Sequence, residues 1–373
     1  MNMGKRMVRK ICFVAFDSLP LLVSSDKLHY AGGSELKQVL VGRELAKRGF
    51  PVSFITYDEK NEKKTVDDIT VIPCPQSKDF PALKNFLLYW SSLKKADADI
   101  YFQGVGSTGI LPLFCFIHRK KYIKWIVSDS NLLFERFRSG HPVVRKITAS
   151  LDILFADKII VQNLFQKELL EKKFKRKDSV LIKNPVIIPS STEEIQTNKS
   201  SILWVGSIKP VKQPELFLQI ARALPKLRFV MIGGENKGRK DIYEMIEKEA
   251  RTIPNLDFVG FVPYHKIQQY YKNAAIFVNT SQVEGFPNTF LESWVSGTPV
   301  VSLNVDPDEV ICMYKLGFHS KTIEQLILDV QMLFSNEDLR KVMAMNAKKY
   351  IEQHHDLKKI ASEFEDLIAS FGK

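Results

Sequence analysis

Residues 276–292 read IFVNTSQVEGFPNTFLE. The apolar run from Ile276 to Val278 breaks at Asn279 into a polar loop, and an amphipathic segment then opens near Asn288 and closes near Gly297. Strand, loop and helix in so short a span is the half-repeat of a parallel α/β sheet. Asn288 is the expected N-cap. It leaves the amides of Thr289, Phe290 and Leu291 at a helix end that attracts phosphate. Glu292 lies about one turn in, where a carboxylate can accept from two hydroxyls of a ribose or sugar diol. Glu284, before the helix, would face the other end of the same ligand. Acidic first turns are common on solvent-facing helices, so the pair gains weight from the packed Gly285, Phe286 and Pro287 between its members.

The same alternation runs outward in both directions. After a polar, aperiodic linker at 188–200, strands are expected at 201–206, 228–232, 256–262, 275–279 and 299–303, with helices at 213–224, 239–251, 264–272 and 288–296. Helices at 322–334, 337–352 and 356–370 follow. Upstream, strands are expected at 10–16, 51–57, 69–73, 98–103, 122–127, 158–162 and 179–183. The clearest helix there is 34–48, capped by Ser34 and ended by Gly49. Two doubly wound, Rossmann-like α/β domains, residues 1–187 and 201–355, account for this pattern. A ligand would sit at the carboxyl ends of strands, in a cleft between the domains.

Three further clusters carry chemistry. Gly206, Ser207, Lys209 and Lys212 follow strand 201–206, and two ammonium groups beside a helix start suit a diphosphate; solvated lysines in a βα loop are the plain alternative. Gly32 and Gly33 open the first long helix, where paired glycines let backbone approach a phosphate. Neither G-x-G-x-x-G nor a P-loop is present. Asp129, within Ser128-Asp129-Ser130 at the end of strand 122–127, could accept from an acceptor hydroxyl or cap the turn that follows. His354 and His355 are expected on an exposed late helix. No histidine pair has ligand spacing, so no metal site is expected.

Composition narrows the classes. Hydrophobic residues at 45% and charged residues at 26% exclude a disordered chain. Cys12, Cys74, Cys115 and Cys312 lie far apart, which disfavours a zinc ribbon or a disulfide framework and fits a reducing cytosol. The longest apolar run, Ile110 to Ile117, is far short of the roughly 20 residues of a spanning helix. Neither a signal peptide nor a membrane span is expected. The net charge of +12 is unevenly placed: residues 1–187 hold 32 Lys+Arg and 19 Asp+Glu, or +13, leaving −1 for the rest. An anionic partner is therefore expected for the first half only. Aromatic residues among cations at 84–95, 119–124 and 136–138 suit an anionic membrane surface, although each segment alone could be a solvated helix face.

Taken together, these residues resemble the family-4 retaining glycosyltransferases, which have the GT-B architecture and use nucleotide-sugar donors. The E-x7-E box from Glu284 to Glu292 is the most specific element, with the Gly206–Lys212 loop and Gly32-Gly33 in the right order. The resemblance implies that Glu284 contacts the donor sugar and Glu292 the ribose. Gly285, Phe286, Pro287, Asn288, Thr289 and Lys212 would hold sugar and diphosphate, and Gly33 would approach the phosphate. Residues 356–373 would pack back on the first domain. Ser207 stands where the family usually has Arg, and Ser128 where it often has His. The segments DADIYFQG, IVSDS, WVGSIKPVKQPELF and SLNVDPD look like a subgroup of cell-surface polysaccharide biosynthesis.

The expected activity is retaining hexosyl transfer to a glycan or lipid-linked acceptor, without metal or other cofactor, at the cytoplasmic face of the membrane. Lys212, Lys209 and the helix amides would stabilise the leaving diphosphate. The alternatives are an epimerase or phosphorylase on the same fold, a basic nucleic-acid-binding protein, or a sugar-nucleotide sensor without catalysis.

Overall fold

The computed structural model describes residues 8–23, 32–58, 64–76, 80–133, 142–189, 199–235 and 239–372. These fall into two compact units. One holds the described residues up to Pro185 together with those from Leu357 onward, and the other holds Val186–Asp356. Of the linker expected at 188–200, residues 190–198 lie outside the described residues, as do Arg136 and Arg138.

The first unit is built on eight strands: β1 (Ile11–Val14), β2 (Val52–Thr56), β3 (Lys64–Val66), β4 (Ile69–Pro73), β5 (Ile100–Gln103), β6 (Lys121–Trp125), β7 (Lys158–Val161) and β8 (Ser179–Leu181). Their order is β3-β4-β2-β1-β5-β6-β7-β8, and every pairing is parallel except β3 with β4. Its helices are α1 (Leu19–Leu22), α2 (Gly33–Lys47), α3 (Ala82–Ala96), α4 (Ile110–His118), α5 (Pro142–Leu154) and α6 (Leu164–Phe174). Parallel strands covered on both faces read as continuous apolar runs, and all of β1 and β2 is buried. Phe13 stacks on Phe54 at 4.9 Å and on Phe102 at 5.0 Å, the residues that face it across the two neighbouring strands. Gly42 lets α2 approach this stack, since a Cβ there would lie 2.6 Å from the Phe54 ring.

The second unit carries β9 (Ser201–Val205), β10 (Arg228–Ile232), β11 (Leu256–Gly260), β12 (Ala274–Asn279), β13 (Val300–Ser302) and β14 (Gly317–His319). All are parallel, in the order β11-β10-β9-β12-β13-β14. Its helices are α7 (Pro214–Ala223), α8 (Lys240–Ala250), α9 (Tyr264–Asn273), α10 (Asn288–Val295), α11 (Val310–Met313), α12 (Ile323–Ser335) and α13 (Glu337–His354). A last helix, α14 (Leu357–Ala369), belongs to the first unit, where it packs on α2. Its Phe364 lies 5.8 Å from Phe102 and 5.1 Å from Trp125.

Strand order reverses between β1 and β5 in one sheet and between β9 and β12 in the other. At such switch points the loops leaving neighbouring strands diverge to opposite faces and open a crevice, the usual place for a ligand in an open α/β sheet. Among the described residues, no helix is long and apolar enough to cross a membrane.

Candidate active site

At the switch point of the second unit, two loops leave the carboxyl ends of β9 and β12. The backbone N–H of Gln282 donates to the carbonyl of Val211 at 2.9 Å, and Thr280 Oγ1 donates to the carbonyl of Lys212 at 2.7 Å. Buried Trp204 donates from Nε1 to the same Thr280 hydroxyl at 3.0 Å. The loops are thereby stitched to each other. Gly233 has no room for a Cβ, which would lie 2.5 Å from the carbonyl oxygen of Gly206 and 2.6 Å from Ile208.

This stitching brings two residues far apart in sequence together: Lys212 Nζ forms an ion pair with Glu284 Oε1, each side chain largely shielded from solvent. Lys209 heads the single helical turn whose last residue is Lys212, while Gly206 and Ser207 lie half-buried just before it. Gly285, Phe286 and Pro287 are buried, and Asn288 and Thr289 are half-buried at the start of α10.

The cap of α10 differs from the sequence expectation. Pro287 is the N-cap and Asn288 is the first helical residue. The Phe290 amide is not available to a ligand either, because it donates to the Pro287 carbonyl at 3.1 Å. Proline restrains the preceding loop, and the helix starts one residue earlier than the sequence suggests. Glu292 is buried, and its carboxylate accepts from the Tyr264 hydroxyl at 2.8 Å. Burial pushes this carboxyl up to about 7, against the Tyr264 hydrogen bond, which favours ionisation. His355, expected on an exposed helix, is fully buried 4.8 Å from the Phe286 ring.

Gly32, Gly33 and Asp129 lie in the first unit. Gly32, not Ser34, caps α2 with extended backbone, and Gly33 is its first residue. A Cβ on Gly32 would collide with the Glu35 carboxylate, which folds back over the helix start. Ser128 closes a capping box with Asn131, so Asp129 is spared from capping. Its Oδ1 accepts from Gln166 Nε2 at 2.8 Å and Asn163 Nδ2 at 3.4 Å.

Behind Asp129 lies a buried polar chain that sequence reasoning missed. Lys37 Nζ donates to Asn184 Oδ1 at 3.3 Å, Asn184 Nδ2 to Gln162 Oε1 at 3.0 Å, and the Gln162 amide to Gln166 Oε1 at 2.9 Å. Burial holds the Lys37 ammonium well below the usual lysine range, partly offset by the charge of Glu35. The one signal available beforehand was the row of polar residues, Gln162 to Asn163, directly after an apolar strand. Lys124, read from sequence as a surface cation, is buried and paired with Asp152 at 3.3 Å.

Residues 190–350 match the model of the family described as "Glycosyl transferases group 1". An "Uncharacterized glycosyltransferase" of Haemophilus influenzae is 24% identical over 356 residues, covering 91% of this chain and 96% of its own length. Among solved structures, a sucrose-phosphate synthase from Thermosynechococcus elongatus superposes with a TM-score of 0.80 at 16% identity, covering 97% of this chain and 99% of its own. HepE of Anabaena, in complex with UDP and glucose, gives 0.74 at 15% identity, covering 97% and 100%. These likenesses support a glycosyltransferase with the GT-B fold, and the family match falls on the unit that carries Lys212, Glu284 and Glu292.

Proposed function

We propose that the protein is a retaining, metal-independent glycosyltransferase. It would move a hexose from a nucleoside-diphosphate sugar to a glycan or lipid-linked acceptor in cell-surface polysaccharide synthesis, on the cytoplasmic face of the membrane. The observation that carries this reading is the Lys212–Glu284 pair and the Tyr264–Glu292 pair flanking one tight turn at a switch point. Glu292 meets the ribose, Glu284 the sugar. As the anomeric C–O bond breaks, negative charge grows on the diphosphate, where Lys212, Lys209 and the first amides of α10 stabilise it. The acceptor hydroxyl attacks from the same face and the departing phosphate takes its proton, so retention needs no protein nucleophile. Asp129, held by Gln166, orients the acceptor hydroxyl.

A thermal-shift panel of UDP, GDP, ADP and their sugars, without added metal, tests the donor site. One nucleotide should raise Tm selectively; saturation to 100 times Kd corresponds to about 2.7 kcal/mol. Because the Glu292 carboxyl titrates near 7 and its ionised form accepts the ribose hydroxyls, the shift should be larger at pH 8 than at pH 6. Glu292→Ala should abolish it. Absence of any shift at millimolar nucleotide would sink the reading.

The membrane proposal rests on exposed apolar side chains. Leu113, Phe116 and Ile117 on α4, and Val143, Val144 and Ile147 on the adjoining α5, all face solvent, with Phe116 at 77%. Lys84, Lys94, Lys95 and Arg119 on neighbouring segments are exposed too. An apolar face with cations around it suits an anionic bilayer. The contribution expected of 119–124 shrinks, since Lys120 pairs with Asp97, Lys121 with Asp157, and Lys124 is buried. Co-sedimentation with phosphatidylglycerol vesicles should fall at least tenfold in Phe116→Glu/Ile147→Glu. Unchanged binding would refute this docking face.

A further inference from the structure

Asp306, Cys312 and His319 lie outside the candidate active site and converge on one spot. Each offers one ligand atom, and the three atoms all lie within 4.8 Å of one another. Three separate features of the chain produce this. Asp306, in the loop after β13, is fixed by accepting from the amides of Ile311 at 2.8 Å and Cys312 at 3.3 Å. Cys312 is the third residue of α11, and His319 ends β14, which pairs with β13 and packs against α11. The turn between α11 and β14 is tight: Lys315 is left-handed at φ 54, and Gly317 at φ 152 sits where a Cβ would strike the Val300 carbonyl. The backbone around the three side chains is therefore held from both ends.

We propose that Asp306, Cys312 and His319 form a zinc site with its fourth position open to solvent. Thiolate, imidazole and carboxylate together match Zn2+ better than a hard, oxygen-seeking cation. Bonds of about 2.0–2.3 Å in a tetrahedron set ligand atoms roughly 3.3–3.6 Å apart, so side-chain rotation of about an ångström closes the set. Cys312 is exposed, which gives the ion a path of entry. Its thiol would release a proton on binding, because only the thiolate ligates. Histidine spacing alone could not point to this site, because its residues come from three elements joined through the sheet edge.

The full chain, stripped with chelator and dialysed, is titrated with Zn2+ by calorimetry in two buffers of different ionisation enthalpy. One site of micromolar or tighter affinity with proton release is expected, weakened at least tenfold by Cys312→Ser and by His319→Ala. Co2+ should give thiolate-to-metal absorption that disappears in Cys312→Ser. Cys312 is exposed, so its replacement leaves folding intact, which circular dichroism checks. Zinc uptake of equal affinity in wild type and both variants, or none in the micromolar range, overturns the site. Neither outcome bears on nucleotide binding, which is read separately by Tm.

Discussion

Lys212→Ala should lower turnover with the donor nucleotide sugar by about 10²- to 10³-fold, the usual cost of removing one group that stabilises developing charge. Two effects add. The ammonium that meets the leaving diphosphate is lost. The carboxylate of Glu284, now without its ion-pair partner, also remains beside the incoming phosphate and repels it. The second effect separates the variants: Lys212→Ala/Glu284→Gln should recover donor binding, read as KM, while leaving kcat low. Lys212→Arg should sit between, because Arg keeps the charge but brings a planar fork to a site shaped for a point charge. A Lys212→Ala enzyme within threefold of wild-type kcat would remove Lys212 from the chemistry.

The largest stability effect is expected at Lys124→Met, about 3–5 kcal/mol less stable by urea denaturation. Lys124 Nζ lies 3.3 Å from Asp152 Oδ2 and donates to Ser107 Oγ at 3.2 Å, with side-chain exposures of 4% and 0% for the charged pair. Burial lowers the affinity of Lys124 for its proton, and the Asp152 charge acts against that. Asp152 Oδ1 already lacks a protein partner, so removing the ammonium strands an anion in the core. Lys124→Met/Asp152→Leu should regain more than half of the loss, since two apolar groups need no compensation. A single-variant loss below about 1 kcal/mol would show that removing the ammonium strands no buried charge, and would overturn the ion-pair argument.

The strand pattern was legible because buried parallel strands leave continuous apolar runs. Strands 69–73 and 228–232 match β4 and β10 residue for residue, and most others differ by one or two positions. β3 and β14 were not foreseen. Each has three residues, and KTV and GFH hold too few apolar positions to mark a strand; they form by pairing at a sheet edge. The Ile110–Ile117 run, too short to span a membrane, forms most of α4, half core and half exposed patch. At the candidate site, Glu284, Glu292 and Lys212 could be named from local motifs. Tyr264 and the chain from Lys37 to Gln166 could not, since their partners are set by the fold and not by spacing.

The return of α14 to the first unit has a consequence for how the chain is made. The second unit is an insertion within the first, and its entry and exit points are joined by the Val186–Asp356 bridge. During synthesis from the N-terminus, Phe102 and Trp125 emerge before the second unit, but the side chain that covers them, Phe364, is translated only after it. The second unit therefore has Val186–Asp356 translated before the first unit has α14, and the earlier-started unit is the later to be completed.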